Sequence, residues 1–122
     1  MRIILSCLTA LLFFTANAQT DSAAVFKTTT YSFGKIKEGQ PVTTDFTFSN
    51  KSDKSLIIET ATAECGCTTP DYPKTPILKG KTGVIKVTYN AANPGKFTKR
   101  VTVKFANIAQ PTILTIDGEV TL

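Results

Sequence analysis

The sequence predicts an all-β domain, an immunoglobulin-like β-sandwich of about seven strands. Three observations carry that expectation. Apolar and polar residues alternate with period two in several windows, the mark of strands with one dry face and one wet face. Breaks rich in glycine, asparagine and proline separate those windows at short intervals. No window carries a helical apolar stripe of useful length.

Taken along the chain, Thr29 to Phe33 is the first expected strand, and Gly34 through Pro41 reads as a turn region. Phe46 and Phe48 alternate with Asp45 and Thr47, and Asn50-Lys51-Ser52-Asp53 then reverses the chain. Leu56 to Thr62 is rich in β-branched residues and reads as a further strand. Ile85, Val87 and Tyr89 alternate with Lys86 and Thr88 between two breaks, Lys79 to Gly83 and Asn90 to Gly95. The clearest signal lies in Phe97, Val101, Val103 and Phe105 set against Thr98, Arg100, Thr102 and Lys104. Leu114, Ile116, Gly118 and Val120 against Thr115, Asp117, Glu119 and Thr121 give the last strand. That strand is expected to complete a sheet, and is a docking strand if it lies at an edge.

The N-terminus reads differently. Met1-Arg2 is followed by the apolar run Ile3 to Phe14 and then by Thr15-Ala16-Asn17-Ala18, a charged start, an apolar core and a small-x-small cleavage site. Residues 1–18 are therefore expected to be a signal peptide cut before Gln19, leaving no stable membrane anchor, since the run is too short for a cleavage-resistant span. Cys7 lies inside the apolar core and reads as an ordinary member of it. Residues 19–24 look like a loose leader, and residues 25–122 form the domain, a normal size for one core. The expected location is periplasmic or secreted.

A net charge of +5 keeps such a domain soluble. The lysines are scattered, so nucleic-acid binding gains no support. The chain has no histidine, and beyond the leader it has no methionine and two cysteines. Histidine-based triads, two-histidine zinc sites and histidine-carboxylate iron sites all need residues it lacks. Glu59, Glu64 and Asp71 are the carboxylates near the irregular stretch, and no recognisable element positions them as an acid-base pair. Tyr31, Tyr72 and Tyr89 fit a core better than a ligand surface. No enzyme activity, cofactor or resident metal is expected.

One stretch, Glu64 to Leu78, carries chemistry. Pro70, Pro73 and Pro76 forbid central-strand pairing, so it is irregular or runs along a sheet edge. It holds Cys65-Gly66-Cys67-Thr68. A Cys65 to Cys67 bond closes a ring worth only about 1.6 kcal/mol of unfolded-chain entropy, against about 3 for a fifteen-residue loop. Gly66 suits the sharp fold such a bond imposes. The pair reads as a passive oxidised bridge, a redox-active dithiol, a thiolate pair for Cu(I), or an intermolecular link. For zinc it lacks two further ligands.

Several strings occur together here: Phe33-Gly34-Lys35-Ile36-Lys37-Glu38-Gly39, Phe46-Thr47-Phe48-Ser49-Asn50, Leu56-Ile57-Ile58, Cys65-Gly66-Cys67-Thr68-Thr69-Pro70, Pro76-Ile77-Leu78-Lys79-Gly80 and Gly95-Lys96-Phe97. In that order they resemble the bacterial domain-of-unknown-function 1573 family over about Phe26 to Val120. The resemblance implies an immunoglobulin-like domain of the ASH and major-sperm-protein kind and an export signal. It assigns no activity, and makes Cys65, Gly66, Cys67 and Thr68 the candidate functional motif. The expectation is a non-enzymatic module that binds or assembles with a protein partner. The alternative is a thiol-redox or Cu(I) module acting through Cys65 and Cys67.

Overall fold

The computed structural model describes residues 23–122, so the expected signal peptide and most of the leader lie outside the described residues. Eight strands follow in order: β1 Ala24–Phe26, β2 Thr30–Lys37, β3 Val42–Asn50, β4 Ile58–Ala63, β5 Thr68–Asp71, β6 Thr82–Tyr89, β7 Gly95–Phe105 and β8 Thr112–Thr121. They form two four-stranded sheets, ordered β1-β3-β6-β5 and β2-β8-β7-β4. All pairings are antiparallel except β2 with β8, which is parallel.

The inner faces are the alternating apolar sets. Phe46 and Phe48 of β3 and Ile85, Val87 and Tyr89 of β6 face Val101, Val103 and Phe105 of β7 and Leu114, Ile116 and Val120 of β8, all buried. Aromatic pairs lock the sheets together. Phe48 meets Phe105 edge-on at 5.5 Å between centroids, and Tyr89 stacks on Phe97 at 3.9 Å. Such pairs add about 0.5–1.5 kcal/mol each beyond the area they bury. Tyr89 is thus core, whereas Tyr31 is exposed.

A buried polar hub pins the β3–β4 connection. Asn50 Nδ2 donates to the carbonyls of Lys54 (2.7 Å) and Ile77 (2.9 Å), and its Oδ1 accepts from the Ser52 amide (2.9 Å) and hydroxyl (2.7 Å). With every polar atom of the side chain partnered, its burial carries no desolvation penalty.

Two elements depart from the sequence reading, and two settle alternatives that it leaves open. The strand expected to stop at Phe33 runs to Lys37, because Gly34, at φ +68°, forms a bulge between Ser32 and Lys35 instead of ending the strand. Its carbonyl presses on Gly118, where a Cβ would lie 2.8 Å from Gly34 O and 2.9 Å from the Phe97 ring. Strand pairing begins at Ala24, the last residue of the expected leader, which pairs with Asn50 in β1. Thr68–Asp71 is a strand, at the sheet edge its prolines require, with Pro70 opposite Val87. Finally, β8 lies between β2 and β7, so the last strand completes its sheet as expected and offers no docking edge.

Candidate functional site

The cysteine bend is where the chain changes sheets. β4 is an edge of one sheet and β5 an edge of the other, and Glu64 to Cys67 crosses between them. Glu64 makes the exit. Its amide donates to Arg100 O at 3.2 Å, but the Arg100 amide donates to the Glu64 carboxylate Oε1, at 3.0 Å, in place of the main-chain carbonyl. The side chain completes the ladder while the main chain turns away. In the sequence alone, Glu64 reads only as one of the carboxylates beside the irregular stretch.

Cys65 and Cys67 are joined by a disulfide, with Cα atoms 5.3 Å apart. Both are half-buried, Gly66 between them is exposed, and only Cys67 packs on the core. The Asn90 amide donates to Cys67 O at 2.9 Å, fixing the start of β5. Thr68 is buried, with Oγ1 3.7 Å from Cys65 Sγ and 3.6 Å from Cys67 Sγ. A bridged sulfur carries no hydrogen, so the hydroxyl is the donor, with its one hydrogen shared between the two sulfurs. Gly66 differs from expectation: its φ is not positive and nothing lies within 4 Å of where a Cβ would stand. The bend uses neither the freedom nor the smallness of glycine. In this oxidised form the sulfurs offer no thiolate to Cu(I).

The structure brings together Cys65, Gly66, Cys67 and Thr68 and keeps the carboxylates apart. Glu64 holds the Arg100 amide, Glu59 lies 3.9 Å from Lys104 Nζ, and Asp71 is opposite Lys86. Among the described residues, no three histidine, cysteine or acidic side chains gather as a metal site.

The four edges of the two sheets differ in a way no local pattern announces. β1 is three residues long. β2 carries the Gly34 bulge together with Lys35 and Lys37. On β5, the Asn90 to Cys67 bond sets the alternation, so Thr68 and Pro70 turn their main chain outward. Thr68 N is spent on Cys65 O at 3.4 Å and Pro70 has no N–H. Short length, bulges, lysine and proline are the devices that keep an edge from pairing.

β4 has none of these along Thr60-Ala61-Thr62-Ala63. The Glu64–Arg100 bond and the register Thr62↔Thr102 and Thr60↔Lys104 make Ala61 and Ala63 the outward residues. Their N–H and C=O groups have no hydrogen-bond partner among the described residues. Above them the edge closes, where the register shifts between Ile58 and Thr60 and Tyr72 Oη donates to Glu59 O at 3.5 Å.

The family model described as "Protein of unknown function (DUF1573)" matches residues 24–120. The chain belongs to the DUF1573 family. No curated protein matches it. Solved structures do. A protein of unknown function from Porphyromonas gingivalis W83 superposes with a TM-score of 0.66 at 13% identity, covering 84% of this chain and 51% of that one. The ASH/PapD-like domain 7 of human CEP192 gives 0.70 at 6% identity, covering 99% and 98%. The YadV chaperone gives 0.61 at 16% identity, covering 83% and 53%. This DUF1573 chain therefore spans about half of the first and third and nearly all of the second. At such identities the likeness shows fold alone: this chain is an immunoglobulin-like β-sandwich.

Proposed function

We propose that this DUF1573 chain is an exported, non-enzymatic binding module that takes an extended segment of a partner protein as an added strand along β4. The observation that carries the reading is the contrast among the edges: three are guarded against pairing, while Ala61 and Ala63 present unpaired main-chain groups on either side of the small, uncharged Thr62. Main-chain bonding supplies affinity there, and the exposed Thr60 and Thr62 supply the outer face that an added strand would flank. The likeness to a chaperone and to a PapD-like domain supports a protein partner. The charged start, apolar run and Ala16-Asn17-Ala18 support export, with a product beginning at Gln19.

The test places a photo-crosslinking residue at Thr62, beside the open edge, or at Thr69, on guarded β5, in the exported protein. A partner should crosslink through Thr62 alone, and amide exchange at Ala61 and Ala63 should slow when it binds. Ala61→Pro removes an outward N–H without touching the ladder, so it should fold and lose the partner. A folded Ala61→Pro protein that keeps its partner refutes the edge.

A further inference from the structure

The edge reading leaves the bridged cysteines without a task. We propose that Cys65–Cys67 is a thiol-exchange site for an external dithiol, with the Thr68 hydroxyl stabilising the leaving thiolate. The inference stands apart from the binding edge and survives its failure.

Three observations support it. Cys65 and Cys67 are both half-buried residues rather than buried ones, and Gly66 between them is exposed with nothing crowding it, so the bridge lies at the surface of the folded domain, where a thiolate can approach it. The ring spans only residues 65 to 67, so closing it restrains the unfolded chain little, and by reciprocity folding holds the bridge closed only weakly. Lastly, Thr68 Oγ1 lies within hydrogen-bonding reach of both sulfurs, and its O–H has only weak sulfur acceptors until one of them becomes a thiolate. A bridge that merely held the bend would gain little from a buried donor aimed at its sulfurs.

The asymmetry of the pair sets the direction of attack. Cys67 packs on the core and its carbonyl is held by Asn90, whereas Cys65 is outside that packing. A thiolate of the donor attacks Cys65 Sγ, forming a mixed disulfide as the Cys65–Cys67 bond breaks. The bonding pair leaves on Cys67 Sγ, where the Thr68 O–H donates to it before water protonates it. The donor's second thiolate then attacks its own sulfur in the mixed disulfide, releasing Cys65 as a thiolate that takes a second proton. Two electrons and two protons pass to the cysteines, and the donor departs as a disulfide.

The test is the rate at which dithiothreitol reduces the folded, oxidised protein. Thr68→Val keeps the shape and removes the donor, and should slow reduction about tenfold, while Thr68→Ser should restore it. An unchanged rate in Thr68→Val overturns the role of the hydroxyl. Persistence of the bridge in the wild type under about a thousandfold excess of reduced over oxidised glutathione overturns the site itself. Two single-cysteine variants test the direction without relying on Thr68. Cys67→Ala, which keeps Cys65, should take up oxidised glutathione about tenfold faster than Cys65→Ala, and equal or reversed rates overturn the assignment.

Discussion

The Arg100 amide is bonded to the carboxylate of Glu64 at 3.0 Å, one position beyond the end of β4, where an uninterrupted ladder would use the Glu64 carbonyl. A side chain thus ends the sheet without leaving a backbone donor unpaired, which frees the chain to cross to the other sheet.

Glu64→Ala should cost about 1 kcal/mol, the net worth of one such bond. Urea unfolding measures the loss. Faster amide exchange at Arg100, with exchange at Val101 and Val103 unchanged, would place it at this bond. Glu64→Gln, which keeps an acceptor, should lie close to wild type.

Removing the disulfide should leave the sandwich folded. With a ring contribution of about 1.6 kcal/mol, the Cys65→Ala and Cys67→Ala double variant should melt about 6–13 °C lower in a thermal scan. A fall of twice that size would show the bridge holding more than its own bend.

Two glycines should respond oppositely. Gly66→Ala finds open space and a compatible φ, so it should be neutral or raise stability by up to about 1 kcal/mol by restricting the unfolded chain. Gly118→Ala drives a methyl between Gly34 O and the Phe97 ring and should cost about 1–3 kcal/mol. Denaturant midpoints of the two proteins compare them directly.

Asn50→Ala strips the hub of four hydrogen bonds and buries the carbonyls of Lys54 and Ile77 less well paired, for a loss of about 2–4 kcal/mol. Asn50→Asp faces the same carbonyls with a carboxyl whose charged form is disfavoured there. Its pKa is then raised in the folded state, so this variant should be more stable in acid and lose stability as pH rises through that pKa. Urea melts across pH, compared with wild type, check the sign.

How much of this was legible depended on length and partner distance. β6, β7 and β8 announced themselves because eight or more residues each kept period two against a continuous core. β1 is too short for any period, and β5 holds a proline and takes its register from β6. The Gly34 bulge reads locally as a turn, since left-handed glycine ends strands more often than it kinks them. At the candidate site the cysteines were visible by spacing alone. The work of Glu64 was not, because its partner Arg100 is 36 positions away, and the exposed main chain of Ala61 and Ala63 has no side-chain signature at all.

The parallel pairing of β2 with β8 has a consequence for how the molecule comes into being. Thr121 meets Ile36 across 85 positions of sequence, so one sheet stays unfinished until β8, the last strand in chain order, has been made. Until then β2 has no neighbouring strand to hydrogen-bond within its sheet. Long-range closure of this kind slows folding, and the β2 edge of this sheet is closed only by residues at the far end of the domain.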